Sequence, residues 1–507
     1  MKRIATALLI AATLALSGCG SASDERQVVV SAIGGPATPA DPNKGRMDFP
    51  SRVLMGATAQ GLVRFDGNGQ VEPALAERWI VIDDGTSYIF RLDNDAAWPG
   101  GKPVDAEAVA RTLSRAAAPG SKNPMAPFLH AVDQVVAMTP QVLEVELSQP
   151  RPGLLQLLAQ PEMAAFRPGG LNGTGPFRIV DNSKGPGVLL RPVSPADSAD
   201  EDGTDDSVNA APPDKRQDVR LIGERASLAI ARFADGTSDL VLGGTFRDWP
   251  TLELSGVAKN SIKTDPAQGL FGLAVVNRTG FLADAKNRAA IAMALDRDAI
   301  LGAFTSTWHA RTTILPDQLD SAAGPATPDW QGLSADDRLT TARRRVAAWK
   351  HALGDKARNG SADTLPGVMP IRVALPDDPG GNLLWARIGP AIHALGLPVM
   401  RVKERAQADL RLIDRVAPFD SARWYLRTAC VQCSADSETL LDAARDAPNA
   451  DARAQRLAEA DAALTADAAF IPIASPLRWS LVANRLDQWQ ANARAWHPLN
   501  QLRTLPN

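Results

Sequence analysis

Alternation of hydrophobic and polar positions marks several β-strands along the chain. Residues 28–33, VVVSAI, form a short apolar and β-branched run, which predicts a buried strand. Residues 79–92, WIVIDDGTSYIFRL, predict two antiparallel strands joined at Asp84 and Gly85, because an Asp-Gly pair favours a hairpin turn. Residues 143–147, LEVEL, alternate strictly and predict a second hairpin. Strands and helices are mixed without a regular repeating order, so the pattern indicates an α/β protein.

A helix is predicted from residue 105 onwards, after a turn that contains two glycines. The segment 98–109, WPGGKPVDAEAV, places glycines and a lysine before a helix, as loops that bind phosphate do. However, Ala96 occupies the position of the first glycine of such a loop. Pro103 takes the place of the Ser or Thr after the lysine and removes a backbone N–H. We therefore expect a turn followed by a helix that Asp105 caps.

The segment 284–301 has the spacing of one longer helix. Its apolar side chains fall on a single stripe and predict core packing; they are Ile291, Ala294, Leu295 and Leu301. Its charged side chains are expected to form a solvated or structural ion-pair face rather than ligand contacts; they are Arg288, Asp296, Arg297 and Asp298.

The first nineteen residues predict that the protein is exported. Lys2 and Arg3 precede an apolar run that is too short to span a bilayer, which is typical of a secretory signal peptide. Residues 16–19, LSGC, resemble the lipobox of bacterial lipoproteins. This resemblance implies cleavage before Cys19 and lipid modification of that cysteine, which would anchor a soluble body at a membrane face. The alternative is an ordinary signal peptide with a chance cysteine, and Gly20 leaves open which membrane carries the anchor.

Composition indicates a large exported body with no preference for nucleic acid. The 507 residues are 45% hydrophobic and 22% charged, which allows a full core and two or three domains. The formal net charge of −3 provides no field that would attract DNA or RNA. No second run of 18 apolar residues follows the signal peptide, so we expect contact with the membrane through the lipid anchor only.

The two cysteines besides Cys19 form a close pair. Cys430 and Cys433 belong to a CVQC motif, which predicts either a structural disulfide or free thiols in an exported protein. The spacing alone is weak support for a metal or redox site, because no second CxxC or His pair accompanies it.

One long segment has the composition of a disordered surface loop. Residues 194–218 are acidic, rich in Ser, Pro and Gly, and almost free of large apolar side chains. The aspartates lack the spacing of an EF-hand calcium loop, so we expect no calcium site there.

Several motifs, in this order along the chain, resemble the peptide-class (family 5) extracellular solute-binding proteins of ABC importers. That family includes dipeptide, oligopeptide and nickel-chelate binding proteins. The matching segments are 61–92, 97–109, GTGPFRIV at 173–180, GTSDLVLGG at 236–244, 275–301 and 440–473. Within 275–301 the residues that fit the family pattern are Asn277, Asp284, Arg288, Ala289, Ala294, Asp296 and Arg297.

The resemblance implies a two-lobed periplasmic-binding-protein-like α/β fold of type II, cluster C, with an extra subdomain in the first lobe. It also implies the following division of the chain. Residues 1–19 are the lipoprotein signal peptide, 20–55 the tether and start of lobe I, 56–172 the extra subdomain, 173–270 the core of lobe I with the disordered loop, 271–475 lobe II, and 476–507 the return to lobe I.

The same resemblance suggests where a ligand binds. Asp420 falls on the slot of the family carboxylate that pairs with the α-ammonium of a bound peptide, and Asp414 is the near alternative. Trp424 and Tyr425 offer flat apolar walls for ligand side chains, although core packing explains both equally well. Asn277 follows an apolar strand and either bonds the ligand backbone or caps a loop.

Asp105 and Ala108 depart from the family pattern at the helix cap, and two features of the predicted ligand site depart from it as well. Ser421 replaces the proline that usually follows the anchoring aspartate. In the dipeptide binders, an arginine for the peptide carboxylate lies in the turn that here contains Asp377 and Asp378. A ligand with a free carboxyl terminus is therefore disfavoured, and a longer, amidated or non-peptide ligand is easier to accommodate.

The resemblance implies a lipid-anchored binding component on the periplasmic side of the envelope. Its partners would be a peptide or peptide-like solute and the permease and ATPase subunits of an ABC importer. The five histidines are scattered, and neither HExxH nor GxSxG occurs, so we expect no catalytic site, cofactor or metal. The alternative is a lipoprotein of the same fold that serves signalling, chaperoning or catalysis, or that binds a metal chelate or another non-peptide ligand.

Overall fold

A computed structural model describes residues 26–167, 169–171, 173–180, 184–193, 217–359 and 369–503. The predicted signal peptide with Cys19, and residues 194–216 of the predicted acidic loop, lie outside the described residues. Within these ranges, no helix combines the length and apolar character that crossing a membrane requires.

The described chain alternates between strands and helices of ordinary length. The strands are β1 (Val28–Ile33), β2 (Val63–Phe65), β3 (Val71–Pro73), β4 (Ala76–Ile82), β5 (Ser87–Leu92), β6 (Val132–Thr139), β7 (Val142–Leu147), β8 (Phe177–Ile179), β9 (Val188–Pro192), β10 (Val219–Glu224), β11 (Leu240–Thr245), β12 (Ile262–Thr264), β13 (Gly269–Val275), β14 (Ile371–Leu375), β15 (Val399–Lys403), β16 (Leu410–Val416), β17 (Phe470–Ala474) and β18 (Arg478–Val482). The helices are α1 (Phe49–Thr58), α2 (Ala106–Ala117), α3 (Ala126–Leu129), α4 (Leu154–Leu158), α5 (Ala226–Ala234), α6 (Trp249–Glu253), α7 (Ala285–Ala294), α8 (Arg297–Leu301), α9 (Ala335–Asn359), α10 (Pro379–His393), α11 (Ala422–Ala429), α12 (Ala435–Arg445) and α13 (Ala450–Asp467).

The first lobe is built on a seven-stranded mixed sheet in the order β12-β18-β11-β1-β10-β9-β8. The predicted strand over residues 28–33 is confirmed as β1, which lies in the middle and pairs in parallel with β10 and β11. Val28, Val30 and Ala32 are buried on one side of β1, where they pack with Leu221 and other apolar residues. Four of the six residues of β1 are buried, including Ser31 on its other face, which suits a strand at the centre of a sheet.

The extra subdomain is a four-stranded antiparallel sheet in the order β4-β5-β7-β6, covered by α2. Both predicted hairpins are confirmed, since β4 pairs with β5 and β6 pairs with β7. Asp105 caps α2 as predicted, by accepting a hydrogen bond from the backbone N–H of Ala108 at 2.6 Å. The preceding glycines Gly100 and Gly101 have φ angles of 90° and 81°, which L side chains rarely adopt. The two glycines before Lys102 therefore serve the turn.

The second lobe is built on a five-stranded sheet in the order β15-β14-β16-β13-β17. Strand β13 is buried along its whole length and pairs antiparallel with β16 on one side and β17 on the other. Helices α7, α9 and α10 contribute Ile291, Val346 and Leu384 to the core of this lobe. A strand that is apolar at every position suits such a place, because both faces of the sheet are covered.

Residues 284–301 do not form the single helix predicted from their spacing. The backbone leaves the helical conformation at Leu295, and a second helix, α8, begins after Asp296, whose side chain accepts from the N–H of Ala299 at 3.0 Å. The carboxylate of Asp296 accepts from a backbone N–H that would otherwise bond to a carbonyl of a continuous helix. The helix α7 therefore ends here and α8 starts.

The arginines of this segment are structural and buried rather than solvated. Arg288 is 1% exposed and pairs with the carboxylate of Asp467 at 2.6 Å. Arg297 donates to the carbonyl oxygens of Pro472 at 2.9 Å and Ala292 at 3.1 Å. Both arginines therefore hold α7 and α8 against the second lobe.

Two segments of the described chain cross between the lobes, at residues 264–269 and 474–478. At the first crossing, a side chain on Gly269 would collide with the backbone carbonyl of Arg415. At the second crossing, Arg478 of β18 contacts both carboxylate oxygens of Asp414 in β16, at 2.9 and 3.2 Å. Only 15% of the Arg478 side chain and 11% of the Asp414 side chain are exposed. The ion pair therefore joins the two sheets at their junction.

Removal of one partner of this pair will destabilise the protein, because the other charge is left in a largely buried place. We expect Arg478→Gln to lower the free energy of unfolding by about 2–4 kcal/mol. The double variant Arg478→Gln/Asp414→Asn should recover at least half of this loss, since it leaves no unpaired charge. Urea unfolding of both single variants and the double variant measures the coupling. A double variant whose loss equals the sum of the single losses would show that the pair does not stabilise the junction.

A second prediction concerns Asp461 of α13, which is 1% exposed. One carboxylate oxygen accepts from the N–H of Ala326 at 2.7 Å, and the other has no hydrogen-bond partner among the described residues. Burial raises the pKa of this carboxyl to about 6. The folded state therefore binds a proton more tightly than the unfolded state, and stability rises as the pH falls from above 6 towards 4.

We expect Asp461→Asn to be more stable than the parent protein by about 1–3 kcal/mol at pH 7.5. The advantage should shrink by about 1.4 kcal/mol at pH 5, because the parent carboxyl is then mostly protonated. Urea unfolding of the parent protein and the variant at the two pH values measures the difference in stability. Asp336→Asn, at an exposed position in α9, is the control. An advantage that is the same at both pH values would contradict the argument.

Candidate functional site

The candidate site lies at the junction of the lobes, where β16 ends and residues 417–421 lead into α11. The N–H of Ala417 donates to the carbonyl of Gln268 at the first crossing, at 2.8 Å. Arg494, in the C-terminal return to the first lobe, donates to the carbonyl of Ala417 at 3.3 Å. The segment that contains the predicted ligand carboxylate is therefore held by the first crossing and by the C-terminal return.

Asp420 is the most accessible of the predicted site residues at this junction. Its Oδ2 atom accepts from Gln156 of α4 at 2.8 Å and pairs with Arg494 at 2.5 Å. Its backbone N–H donates to Oε1 of Gln156 at 2.7 Å. The side chain is still 49% exposed, so the carboxylate has room for a further partner.

Asp414 differs from Asp420 in exposure and in its partner. Its carboxylate is 11% exposed and uses both oxygens to accept from Arg478. Asp414 thus lies in β16 and belongs to the ion pair at the junction. Asp420 lies in the loop after β16, and its carboxylate is exposed to solvent.

The structure places Trp424 and Tyr425 in the core, which was one of the two expectations for these aromatic residues. They are 5% and 0% exposed, and their rings meet edge to face at 5.0 Å. Burial raises the pKa of the Tyr425 hydroxyl, which has no hydrogen-bond partner among the described residues. The charges of Arg311 and Asp420 also act on this ionisation, Arg311 by lowering the pKa and Asp420 by raising it.

Asn277 belongs to a polar network at the end of β13. Its side-chain amide donates to Asp409 at 2.7 Å, and Asp409 pairs with Arg372 at 2.8 Å. Burial acts to raise the pKa of Asp409, but hydrogen bonds from Arg372 and Asn277 lower it overall. In this arrangement the amide of Asn277 donates to a carboxylate of the protein itself.

The turn at residues 377–378, which departs from the family pattern, also makes hydrogen bonds within the protein. Asp378 caps α10 by accepting from the N–H of Gly381 at 2.7 Å. Its other oxygen accepts from Arg247 of the first lobe at 3.2 Å, and Arg247 also contacts Glu404 at 2.6 Å. The pKa of the adjacent Asp248 is raised to about 6 by burial and by the charge of Asp378.

A cavity of about 760 Å³ with three basic side chains in its wall lies between the first lobe and the extra subdomain. These side chains are Lys44, Arg46 and Arg115, and Asp41 is also in the wall. Arg46 lies close enough to Arg415 of β16 that its charge, together with burial, lowers the pKa of Arg415. The positive groups therefore continue from the first lobe to the second.

Sequence reasoning missed Gln156, Arg494 and the arginines of this positive surface. These residues come from segments far apart in the chain, and Gln156 is 264 positions from Asp420. No local spacing connects them, so only the folded chain brings them together.

Among the described residues, Cys430, Cys433 and Glu438 place potential metal-ligand atoms within 4.8 Å of one another. A disulfide joins the two cysteines, which is one of the two states that the CVQC motif predicts. Sulfur in a disulfide offers no thiolate to a metal ion.

Parts of the chain are similar to curated proteins of *Escherichia coli* K12. A segment of 140 residues is 33% identical to the probable deoxycholate-binding periplasmic protein YgiS, and covers 24% of this chain and 26% of that protein. A segment of 179 residues is 27% identical to the glutathione-binding protein GsiB, and covers 33% of this chain and 34% of that protein. The chain thus matches about a quarter to a third of the length of these relatives.

The fold is similar to solved structures over nearly the whole chain. The murein tripeptide binding protein MppA of *Escherichia coli* has a TM-score of 0.74 and 17% identity, with 95% of this chain and 99% of that chain covered. OppA of *Haemophilus influenzae*, in complex with RPPGFSPFR, has a TM-score of 0.73 and 15% identity, with the same coverage. NikA of *Brucella suis*, in complex with Fe(III)-EDTA, has a TM-score of 0.68 and 17% identity, covering 93% and 99%. The predicted two-lobed α/β fold is therefore confirmed.

A family model extends this similarity to the sequence itself. The model for bacterial extracellular solute-binding proteins, family 5, matches residues 70–364, which is more than half of the chain. The matched region includes the extra-subdomain hairpins and the Asn277 to Arg297 pattern that suggested the resemblance. The chain therefore belongs to the bacterial extracellular solute-binding proteins of family 5.

Proposed function

We propose that the protein is the substrate-binding component of an ABC importer, anchored at the periplasmic side of the envelope through a lipid on Cys19. It captures a peptide or peptide-like solute between its lobes and delivers it to the permease and ATPase subunits. Membership of the solute-binding family supports this role. The observation that carries it is the half-exposed carboxylate of Asp420 at the junction of the two lobes.

Capture needs no covalent chemistry in this proposal. The lobes are joined by two short crossings, and a solute that contacts both lobes binds the closed state more tightly than the open state. Ligand alone then shifts the population towards closure. The pair between Asp414 and Arg478 keeps the junction in register while the lobes move.

Asp420 would receive the ammonium group of the solute. Gln156 and Arg494 fix the orientation of the carboxylate through Oδ2, and an ammonium group can donate to the exposed side. Trp424 and Tyr425 would support this position as a rigid wall below the carboxylate. Asn277 would act at the mouth of the cleft through its network with Asp409.

The positive surface suggests what the other end of the solute contains. Lys44, Arg46 and Arg115 line the cavity, and the charge of Arg46, after burial, lowers the pKa of Arg415 in the second lobe. An acidic group of the solute would relieve the repulsion between Arg46 and Arg415, because guanidinium groups bind carboxylates with charge-assisted hydrogen bonds. A peptide-like solute with an amine at one end and a carboxylate at the other fits both features.

A second candidate is a non-peptide acid that uses only the positive surface. The similarity to a probable deoxycholate-binding protein favours this alternative, because deoxycholate has a carboxylate and no amine. A metal chelate is a related possibility, since NikA was solved with Fe(III)-EDTA. Such ligands would bind independently of Asp420, and a lipoprotein of this fold could then serve signalling, chaperoning or catalysis instead of import.

The amine-anchor proposal predicts the effect of Asp420→Asn. Native mass spectrometry of the purified protein identifies the solute that it carries, and calorimetry then measures its affinity. We expect Asp420→Asn to weaken binding about 10- to 100-fold, or roughly 1.4–2.7 kcal/mol, because the ammonium loses a charged partner.

The matched comparison is Asp414→Asn, which removes a carboxylate from the same segment. If Asp414 is the anchor instead, that variant shows the larger loss. Affinities within a factor of two of the parent protein for both variants would reject an amine anchor in this segment and favour the non-peptide acid.

The anchor proposal predicts the effect of Cys19→Ser. In cells fed a fatty-acid probe, the parent protein should incorporate the label and fractionate with membranes. The variant has no thiol for lipid attachment, so it should remain unlabelled and appear in the soluble fraction. Equal labelling of the two proteins would exclude lipidation at this cysteine.

A further inference from the structure

A cluster of basic side chains lies where the extra subdomain meets the second lobe, away from the carboxylate of Asp420. We define this arginine cluster by Arg151, Arg423, Arg445, Arg453 and His130. Arg151 and His130 belong to the extra-subdomain side, whereas the other three lie on α11, α12 and α13. The side-chain guanidinium of Arg151 reaches across this boundary and donates to the carbonyl of Arg445 at 2.8 Å.

Three of the arginines have protein partners. Besides the carbonyl of Arg445, Arg151 contacts Gln149 at 3.0 Å. Arg453 pairs with Asp320 at 3.0 Å and donates to Ser421 at 3.1 Å. Arg445 lies at the exposed edge and contacts two aspartates, Asp442 at 3.0 Å and Asp446 at 2.7 Å.

Arg423 is different because it is buried without a partner. It is 9% exposed, and it makes no hydrogen bond or ion pair with any residue that the structure describes. Its Nε atom is fully enclosed. A buried cation normally has a paired acid or several hydrogen bonds, whereas the acids whose charges act on Arg423, Asp442 and Asp446, are both paired with Arg445.

The pKa values of the side chains in the arginine cluster also indicate that positive charge exceeds negative charge around them. Burial and the charges of Arg453, Arg445 and Arg427 together lower the pKa of Arg423 to about 10, although Asp442 acts to raise it. The pKa of Arg151 is also lowered to about 10, by burial and then by Arg453 and Arg423. Packed surroundings and Arg423 lower the pKa of His130 to about 4, so this histidine is neutral at physiological pH. The carboxylates that act on these groups are Asp320, Asp442 and Asp446, which is fewer than the four arginines of the cluster.

We propose that the arginine cluster is a binding site for a small oxyanion, which Arg423 contacts directly and Arg151 contacts from the extra subdomain. The planar guanidinium group presents paired N–H donors that match carboxylate, sulfate and phosphate oxygens. The bound ion supplies the missing negative charge and fastens the extra subdomain to the second lobe. This site is independent of the solute and of the proposed import function.

The experiment measures thermal unfolding at pH 7.5 with inorganic phosphate as the probe. Phosphate should raise the melting temperature of the parent protein saturably, by about 2–4 °C near saturation, whereas chloride at equal ionic strength should not. Arg423→Gln should melt at or above the parent temperature in phosphate-free buffer, because an unpaired buried charge has been removed. The same variant should not respond to phosphate.

Two further variants keep the result interpretable. Arg423→Lys keeps the charge but loses the planar pair of donors, so calorimetry should show phosphate binding that is several-fold weaker. Arg344→Gln, at an exposed position in α9, should respond like the parent protein. The proposal is overturned if phosphate and chloride have equal effects on the parent protein, or if Arg423→Gln keeps the full phosphate response. The proposal is also overturned if Arg423→Gln has a folding defect that Arg423→Lys lacks and Arg423→Lys binds phosphate as tightly as the parent protein.

Discussion

The close contact between β13 and β16 is the constraint on which the architecture depends. Strand β13 begins at the first crossing and is buried at every position, and its first residue, Gly269, has no room for a side chain beside the carbonyl of Arg415. This contact fixes where the second sheet starts relative to the first. Strand β16 is thereby held in the register that pairs Phe271 with Asp414. The position of Asp414 opposite Arg478, and that of the loop with Asp420, follow from this register.

Polar contacts between segments that are distant in sequence also hold the two lobes together. Arg478 joins the sheets through Asp414, Arg247 joins the first lobe to α10 through Asp378, and Arg494 joins the C-terminal return to Asp420. In each pair the arginine comes from the first lobe and the carboxylate from the second. Arginine suits this use because its several donors can contact a carboxylate and a carbonyl at once, as Arg494 does with Asp420 and Ala417.

Local elements were predictable where the signal lies within a few residues. The apolar run VVVSAI, the alternation in LEVEL, the Asp-Gly turn and the cap at Asp105 each depend on neighbours in the sequence, and the structure has them as expected. The break between α7 and α8 was missed because the apolar stripe continues past Asp296, while the cap that ends the helix is a competing local bond.

The two-lobed topology came from resemblance, since pairing of β13 with β16 joins residues more than 130 positions apart. Burial of Trp424 and Tyr425 was equally beyond periodicity, because a short amphipathic helix presents aromatic residues to a cleft or to a core with the same spacing.

Charge shows most clearly why composition cannot replace structure for a binding protein. The sequence has 54 basic and 57 acidic side chains, and this balance argues against a field that would attract nucleic acid at long range. At physiological ionic strength, however, interactions between exposed charges are largely screened beyond about 8 Å. A solute or ion therefore responds to the few groups around it and not to the sum. Burial and the charge of Arg46 lower the pKa of Arg415, and Arg423 lies among other arginines, so the folded chain brings positive groups together within a slightly acidic protein. Neither site has a sequence motif, because each is assembled from helices, strands and loops that the fold alone brings within contact.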